Sequence, residues 1–425
     1  MQGHDSGAPM RWWARRRTWL VGIATLSLAL AACGKTSSGS SSSAPAGTTA
    51  SSNSSSPTAG TSCGTVPSLP IHDSSGVIAS LGSTYTTAYN GNADAILPSA
   101  FAHFKPKSTG NFTIGVALSQ PGNPYNAALL SALSRQLGTV KGVSHVTVLT
   151  SSPTQPTVQI QQVNQLIQQG VSVIVTEPIV PPAMVPLAAK AKAAGIPLVA
   201  VLNGIPTPDA ISVAANSVAD GLNMAAGVAK LTGGKGTVIG VHGIPTTGND
   251  KQAFVGFNAV FAKCPNIKLD SSIVGEFSPP LAKQATLTWL SSHPQPVAGA
   301  VQAAVMGSGI IQAFEQTGRP QPSLGNIQAS AGDLAYWNAH RSTYKSVATT
   351  IPPDDIARAT AYAVSQILSG HGPKVNEIVS PGALITNSNL SQWVVPGAGP
   401  TSQAPVSGPS GSWMPDHFLA PLFNG

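Results

Sequence analysis

Charged residues are scarce in this sequence. They make up 9% of its 425 residues, whereas about a quarter of an average globular protein is charged. The formal net charge is +7, and the four Arg and one Asp of the first 32 residues account for three of those charges. A basic excess this thin does not supply the clustered positive surface of a nucleic-acid-binding protein. With 42% apolar residues, the chain has ample material for folded cores, which excludes a wholly disordered chain.

The sequence also lacks the residue clusters of common enzymes. Its nine His lie far apart along the sequence, and His72 and His103 are one of the pairs with the smallest separation. The sequence therefore contains neither an HExxH motif nor a short His cluster for zinc. The segment 60–64 matches G-x-S-x-G, but it ends a low-complexity stretch instead of forming a strand-to-helix turn. The segment 306–309 (MGSG) lacks the third glycine of a dinucleotide site. We therefore expect no catalytic residue, no metal and no cofactor, and predict that the protein is not an enzyme.

The first 32 residues have the layout of an export signal. Basic residues at 11–17 precede an apolar run at 19–32 that is short for a membrane span. The run ends in LAACG at 30–34, which resembles the lipobox of bacterial lipoproteins. That resemblance implies that Cys33 becomes a lipidated first residue, which anchors the protein to the extracytoplasmic face of the cell membrane. The RR pair at 16–17 resembles a twin-arginine export signal. The sequence therefore leaves two export routes open, Sec and twin-arginine.

Differences in composition distinguish further segments from the rest of the chain. Residues 34–62 contain only Gly, Ser, Thr, Ala, Pro, Asn and one Lys, so residues 33–62 are predicted to be a flexible tether after the lipidated Cys. Residues 63–110 are predicted to be an amino-terminal extension or cap, and residues 396–425 an extended tail rich in Pro, Gly and Ser. The remaining cysteines, Cys63 and Cys264, are expected to form a disulfide in an exported protein. Two buried free thiols are the alternative.

From residue 112 onward, short runs rich in Val and Ile alternate with longer segments of helical period. This alternation is typical of βα units and a parallel sheet. One helix is predicted over Val158–Gln169, and Gly170 ends it. About ten strands are too many for one ordinary sheet, so the sequence predicts an α/β protein with two doubly wound parallel-sheet lobes. The predicted strands are Thr113–Leu118, His145–Leu149, Val171–Thr176, Pro197–Val201, Ala210–Ala214, Thr237–Val241, Ile267–Val274, Ala298–Gln302, Ser323–Ile327 and Ser346–Thr350.

Several motifs in order along residues 112–395 resemble the type I periplasmic binding proteins, most closely the ribose- and galactose-binding branch. They are IGV at 114–116, QPGNPY at 120–125, IQQV at 160–163, IVTEP at 174–178, AGIPLV at 194–199 and GGKGTV at 233–238. The resemblance implies two lobes joined by a hinge. The first would comprise residues 111–208 and 352–376, and the second residues 209–351 and 377–395. Such lobes close on a ligand at the carboxyl ends of their strands.

The same resemblance implies ligand contacts on the loops that follow the strands. The family's polar and aromatic contacts fall on Ser119, Asn123, Tyr125, Asn203, Lys251, Phe277 and Gln328. Other polar positions of the family fall on Ala303, Ala304 and Ile351. An aromatic ring packs on the C–H face of a sugar, and amides bind its hydroxyls. Since part of this polar set is missing, the ligand is either a sugar-like molecule or a less polar or anionic solute, with Lys251 as the contact for an anion.

The function implied by the resemblance is that of a substrate-binding lipoprotein of an ABC transporter. It would capture a small solute between its lobes and deliver it to a permease. The expected partners are the small-molecule ligand, the ABC permease and the membrane, reached through the lipid anchor, with no nucleic acid, and the protein is expected to be a monomer. The sequence leaves open a sensor subunit that presents its ligand to a membrane signalling receptor.

Overall fold

The computed structural model describes residues 62–119, 124–152, 154–245 and 247–425. Each of the ten strands predicted from the sequence is present in this part of the chain. The strands are β1 (Phe112–Ser119), β2 (Val143–Ser151), β3 (Val173–Thr176), β4 (Leu198–Leu202), β5 (Ile211–Ala215), β6 (Lys235–His242), β7 (Asn266–Val274), β8 (Val297–Gln302), β9 (Ser323–Asn326), β10 (Ser346–Thr350), β11 (Glu377–Ser380) and β12 (Ala383–Ile385).

Helices separate most of these strands. None of the described helices is long and apolar enough to cross a membrane. The helices are α1 (Val77–Ser80), α2 (Ser83–Ala88), α3 (Pro124–Gly138), α4 (Pro156–Gln169), α5 (Pro181–Ala193), α6 (Ser217–Leu231), α7 (Gly248–Phe261), α8 (Pro279–Ser292), α9 (Gly307–Gln316), α10 (Ala331–Ala339), α11 (Pro353–Leu368) and α12 (Asp416–Leu419).

The strands form two six-stranded sheets. The first has the order β2-β1-β3-β4-β5-β11, and the second has the order β7-β6-β8-β9-β10-β12. All pairs are parallel except that of β10 with β12. All four residues of β3 are buried, as expected for a parallel strand covered by helices on both faces of the sheet. The predicted α/β fold with two lobes is thus confirmed, and the two sheets with their helices are called the first and second lobe below.

The sequence determines both ends of α4. Pro156 stands in its first turn, where the N–H that proline lacks would have no helical partner. Gly170 ends the helix in the left-handed conformation, with φ 67°, and its N–H donates to the carbonyl of Ile167. Above the first sheet, Leu166 of α4 lies so close to β1 that a Cβ at Gly115 would approach its Cδ2 to 2.6 Å. A larger residue at position 115 would therefore require the Leu166 side chain to move.

In the described part of the chain, three connections lead from an element of one sheet to an element of the other, and their positions differ from the predicted domain boundaries. Strands β5 and β11 pair with each other in the first sheet, although the prediction assigned both to the second lobe. The crossings lie at 215–217, 350–353 and 380–383. An apolar run in the sequence indicates a strand, but the sheet that the strand joins depends on contacts with segments far away along the chain.

Residues 63–110 are ordered and contact both lobes. Ile78 and Ile96 are fully buried against the first lobe, and the hydroxyl of Tyr89 donates to the carbonyl of Glu377 in β11 at 2.8 Å. At the start of this extension, a disulfide joins Cys63 to Cys264, which follows α7 in the second lobe. The extension therefore connects the outer edge of the first sheet to the second lobe.

Residues 396–425 do not form the extended tail that their composition suggests. Trp413 is 1% exposed and Leu419 is fully buried in the core of the first lobe. The ring of Phe418 stacks on that of Tyr85, with the centroids 4.8 Å apart. Pro and Gly favour irregular backbone, but the large apolar side chains between them bury enough surface to hold the segment on the lobe.

Candidate functional site

A cavity of about 380 Å³ lies between the two lobes. Its walls come from the residues that follow β3, β4, β8, β9 and β10 and from the first turns of α3 and α6. Because the strands that lead into these walls are parallel within each sheet, their carboxyl ends meet at one edge of the sheet, where ligands of such folds bind. The carboxyl-terminal segment adds residues 403–406 to the wall.

Tyr125 and Gln328 meet at the second crossing from opposite lobes. The hydroxyl of Tyr125, in the first turn of α3, donates to the carbonyl of Ile351 at 3.0 Å. The Nε2 of Gln328 donates to the same carbonyl at 3.2 Å, and its Oε1 accepts from the Ile351 N–H at 3.1 Å. Burial raises the pKa of Tyr125, so its hydroxyl remains a donor. These bonds hold the backbone of the crossing against the cavity.

Phe277 contributes an aromatic face from the second lobe. It follows β7 and adopts φ 54°. Its ring packs over Gly243, just after β6, where a Cβ would lie 2.1 Å from the ring atom Cε1. Ala303 and Ala304, after β8, line the cavity as well. This side of the cavity therefore offers an aromatic ring beside small apolar groups.

Two carboxyl groups line the cavity. Burial raises the pKa of Glu177, which follows β3, to about 7. Asp220 of α6 is 4% exposed, and burial raises its pKa to about 7, although its Oδ1 accepts a hydrogen bond from the N–H of Gly382 at 2.8 Å. A carboxyl with a pKa near 7 is partly protonated in neutral solution, so it can both donate and accept hydrogen bonds.

The charge of the cavity restricts what it can bind. The described residues that line it include no Lys, Arg or His. An anionic ligand would lie beside Glu177 and Asp220 without a compensating cation, which is unfavourable at low dielectric. In the described ranges, no group of three or more His, Cys, Asp or Glu is placed to hold a metal ion. The site is therefore suited to a neutral or positively charged organic ligand.

The structure brings together four of the side chains that the sequence predicts as ligand contacts, namely Tyr125, Asn203, Phe277 and Gln328. Ser119 is 8% exposed at the end of β1 and is not among the residues that line the cavity. Lys251 is exposed on α7, while Asn249, two residues earlier, lines the cavity. The predicted contact Asn123 and the predicted lipidation site Cys33 lie outside the described residues.

Sequence reasoning did not find Asp220 or the wall formed by residues 403–406. Asp220 is the sole acidic residue of the mainly apolar helix α6. That isolation is a usable signal, because a carboxyl on a buried helix face needs a polar partner or a ligand. The wall at 403–406 has no comparable signal, since one amide followed by three apolar residues in a low-complexity stretch does not indicate a binding site.

A family model described as a periplasmic binding protein domain matches residues 114–372. The match begins in β1 and extends just past the end of α11. It therefore covers well over half of the chain and includes most strands of both sheets.

Individual proteins show the same similarity. The xylitol-binding protein of Mycolicibacterium smegmatis is 34% identical over 163 residues, which are 38% of this chain and 47% of that protein. The ribose import binding protein of Bacillus subtilis is 23% identical over 280 residues, which are 65% of this chain and 88% of that protein. The crystal structure of an ABC transporter solute binding protein from Thermobispora bispora superposes with a TM-score of 0.62 at 22% identity, covering 75% of this chain and 95% of that chain. The chain thus matches about half the length of the first relative and most of the second.

Proposed function

Because the chain belongs to the periplasmic binding protein family, we propose that it captures a neutral sugar or polyol between its lobes and delivers it to the permease of an ABC importer. The observation that carries the proposal is the cavity itself, which two aromatic side chains, Tyr125 and Phe277, line from opposite lobes. Such a role requires binding and release, and no covalent chemistry. The names of the two relatives, a xylitol-binding protein and a ribose import binding protein, support this ligand class.

The polar groups of the cavity suit a ligand with several hydroxyls. Asn203 and Asn249 offer amides, and Glu177 and Asp220, with pKa values raised to about 7, offer carboxyls that donate or accept. A sugar or polyol has polar edges for such groups and C–H faces for the aromatic rings. The absence of cationic side chains among the described lining residues favours a neutral solute over the anionic one that Lys251 suggested.

A ligand panel with one matched pair of variants tests this function. A compound present at 100 times its dissociation constant adds about 2.7 kcal/mol of stability, so xylitol or ribose is expected to raise the melting temperature by several degrees. Phe277→Ala is expected to weaken binding more than tenfold, or by about 1.4 kcal/mol or more, because it removes an aromatic face of the cavity. Lys251→Ala, which alters an exposed side chain outside the lining, is expected to leave the affinity within about twofold.

Two results would count against the proposal. If no sugar or polyol tested raises the melting temperature, neutral sugars and polyols are excluded as the ligand class. Binding that Phe277→Ala leaves unchanged, measured by calorimetry, would place the ligand outside this cavity.

We also propose that acyl chains on Cys33 hold the protein on the extracytoplasmic face of the membrane, near its permease. The support is the lipobox-like sequence at 30–34 and the low-complexity stretch that follows it; two acyl chains suffice for stable anchoring. The full-length protein is expected to partition into a detergent phase after expression in a bacterium, and Cys33→Ser into the aqueous phase. Equal partitioning of both would refute the anchor.

A further inference from the structure

The carboxyl-terminal segment forms part of the cavity wall. Residues 402–413, called the strap below, begin on the second lobe and end on the first. Within the strap, Gln403, Ala404, Pro405 and Val406 line the cavity. Val406 is 1% exposed and belongs to the core of the second lobe. The wall thus includes a segment that belongs to neither sheet.

Backbone hydrogen bonds hold the strap on the second lobe. The N–H of Ala331 donates to the carbonyl of Ala404 at 2.9 Å, and the N–H of Gly332 donates to that of Ser402 at 3.0 Å. These amides are the first two of α10, and the first four amides of a helix have no partner inside it. A Cβ at Gly332 would lie 2.5 Å from the carbonyl oxygen of Ser402, so the strap lies about as close to the helix as glycine allows.

A buried carboxylate holds the other end of the strap on the first lobe. Asp355, in the first turn of α11, is 3% exposed. Its Oδ1 accepts from the backbone N–H of Gly411 at 2.7 Å, and its Oδ2 accepts from the Ser412 hydroxyl at 2.7 Å and from the backbone N–H of Trp413 at 2.9 Å. Because both ends are fixed, Pro405 and Val406, the first residues after the bond at Ala404, are held in the cavity wall.

Gln403 is the polar side chain of this wall. Its Nε2 donates to the hydroxyl of Ser308 at 3.1 Å, and Ser308 is 2% exposed at the start of α9. The Oε1 of Gln403 accepts no hydrogen bond from the described residues, and the side chain is exposed. An amide fixed through its nitrogen presents its oxygen as an acceptor for a ligand hydroxyl.

We propose that the strap is a third component of the ligand site, beside the two lobes, and that Gln403 contacts the ligand and contributes to selectivity. The inference rests on the proposed function, because it needs a ligand that carries hydroxyls. Gln403 Oε1 binds one hydroxyl, and the apolar residues 404–406 limit the length of ligand that fits. Selectivity is then set partly by residues that neither sheet supplies.

The test compares the full-length wild type with two strap variants, using xylitol and ribose as probes in calorimetry. Gln403→Ala is expected to weaken the better-bound probe about five- to tenfold, since it removes one hydrogen bond, and to change the ratio of the two affinities. Ser407→Ala is the control, because Ser407 is exposed on the same strap but is not among the cavity-lining residues. It is expected to leave both affinities within about twofold. A purely structural role of Gln403 would alter the melting temperature and leave the affinity ratio unchanged.

The outcomes separate the two proposals. If the wild type binds a probe and Gln403→Ala leaves both affinities and their ratio unchanged, the role of the strap is overturned and the proposed function stands. If the wild type binds neither probe, the proposed function fails for this ligand class, and the strap's role fails with it.

As a second variant, Gly332→Ala is expected to weaken binding of the better-bound probe as well, because the added methyl group would displace the strap from α10. Unchanged binding by Gly332→Ala would show that the position of the strap does not affect the ligand, which would also overturn its role.

Discussion

Replacing Trp413 by alanine is expected to lower the free energy of unfolding by about 3–5 kcal/mol, the usual cost of removing a buried Trp or Phe side chain. Trp413 is 1% exposed in the core of the first lobe, and its backbone N–H donates to the buried carboxylate of Asp355. The variant would leave a cavity where the carboxyl-terminal segment joins the lobe. Urea denaturation followed by circular dichroism measures the loss as a lower transition midpoint.

The control for this change lies three residues earlier. Ser410 is exposed, and Ser410→Ala is expected to change the free energy of unfolding by less than about 0.5 kcal/mol. Trp413→Phe, which retains part of the apolar volume, is expected to fall between the two. An unchanged urea midpoint for Trp413→Ala would contradict the packing of this segment on the lobe and would support the extended tail that the composition suggests.

Reduction of the Cys63–Cys264 disulfide is expected to lower the stability by about 2–5 kcal/mol, because the bond limits the conformations of the unfolded chain. The two cysteines are 201 residues apart, so the closed loop is long and its effect on the unfolded chain is large. Thermal denaturation with and without a phosphine reductant measures the difference. A variant with alanine at both positions is the control, since the reductant has nothing to cleave in it.

Mass spectrometry of the unreduced protein is expected to show one linked peptide that contains both Cys63 and Cys264. Two thiols that react with an alkylating reagent before reduction would contradict the bond. A melting temperature that does not respond to the reductant would show that the extension is held by its packing on the lobes alone.

Much of the fold could be predicted from the sequence because its strands are short, apolar and bounded by turn residues. Strands such as β3 and β4 are buried along nearly their whole length, which gives a clear run of Val, Ile and Leu. The partner of each strand was harder to assign. Strand β11 pairs with β5 in the first sheet, and that pairing depends on how the chain crosses between the lobes, which local sequence does not encode.

The candidate site, too, could be predicted from the sequence only in part. The resemblance identified Tyr125 and Phe277, because aromatic residues stand at recognisable positions after strands. It also suggested Lys251, but the side chain is exposed on α7, since the face of the helix turned to the cavity carries Asn249 instead. The strap could not be predicted, because its place depends on a distant carboxylate and on the amides of α10. A composition rich in Pro, Gly and Ser indicates irregular backbone and not whether that backbone is buried.

The carboxyl-terminal segment meets the amino-terminal extension on the first lobe, and this has a consequence for the order of folding. The hydroxyl of Tyr85 donates to the carbonyl of Phe418 across 333 residues of sequence, whereas strands β6 to β10 of the second lobe follow one another along the chain. Contacts between distant residues form slowly, because a long loop must close before they contribute. Most of the second sheet can therefore form early from a continuous stretch of chain, before β12 and Val406 are added to the lobe. The core of the first lobe is completed only when Phe418 and Leu419 are in place, so we expect this lobe to become native after most of the second.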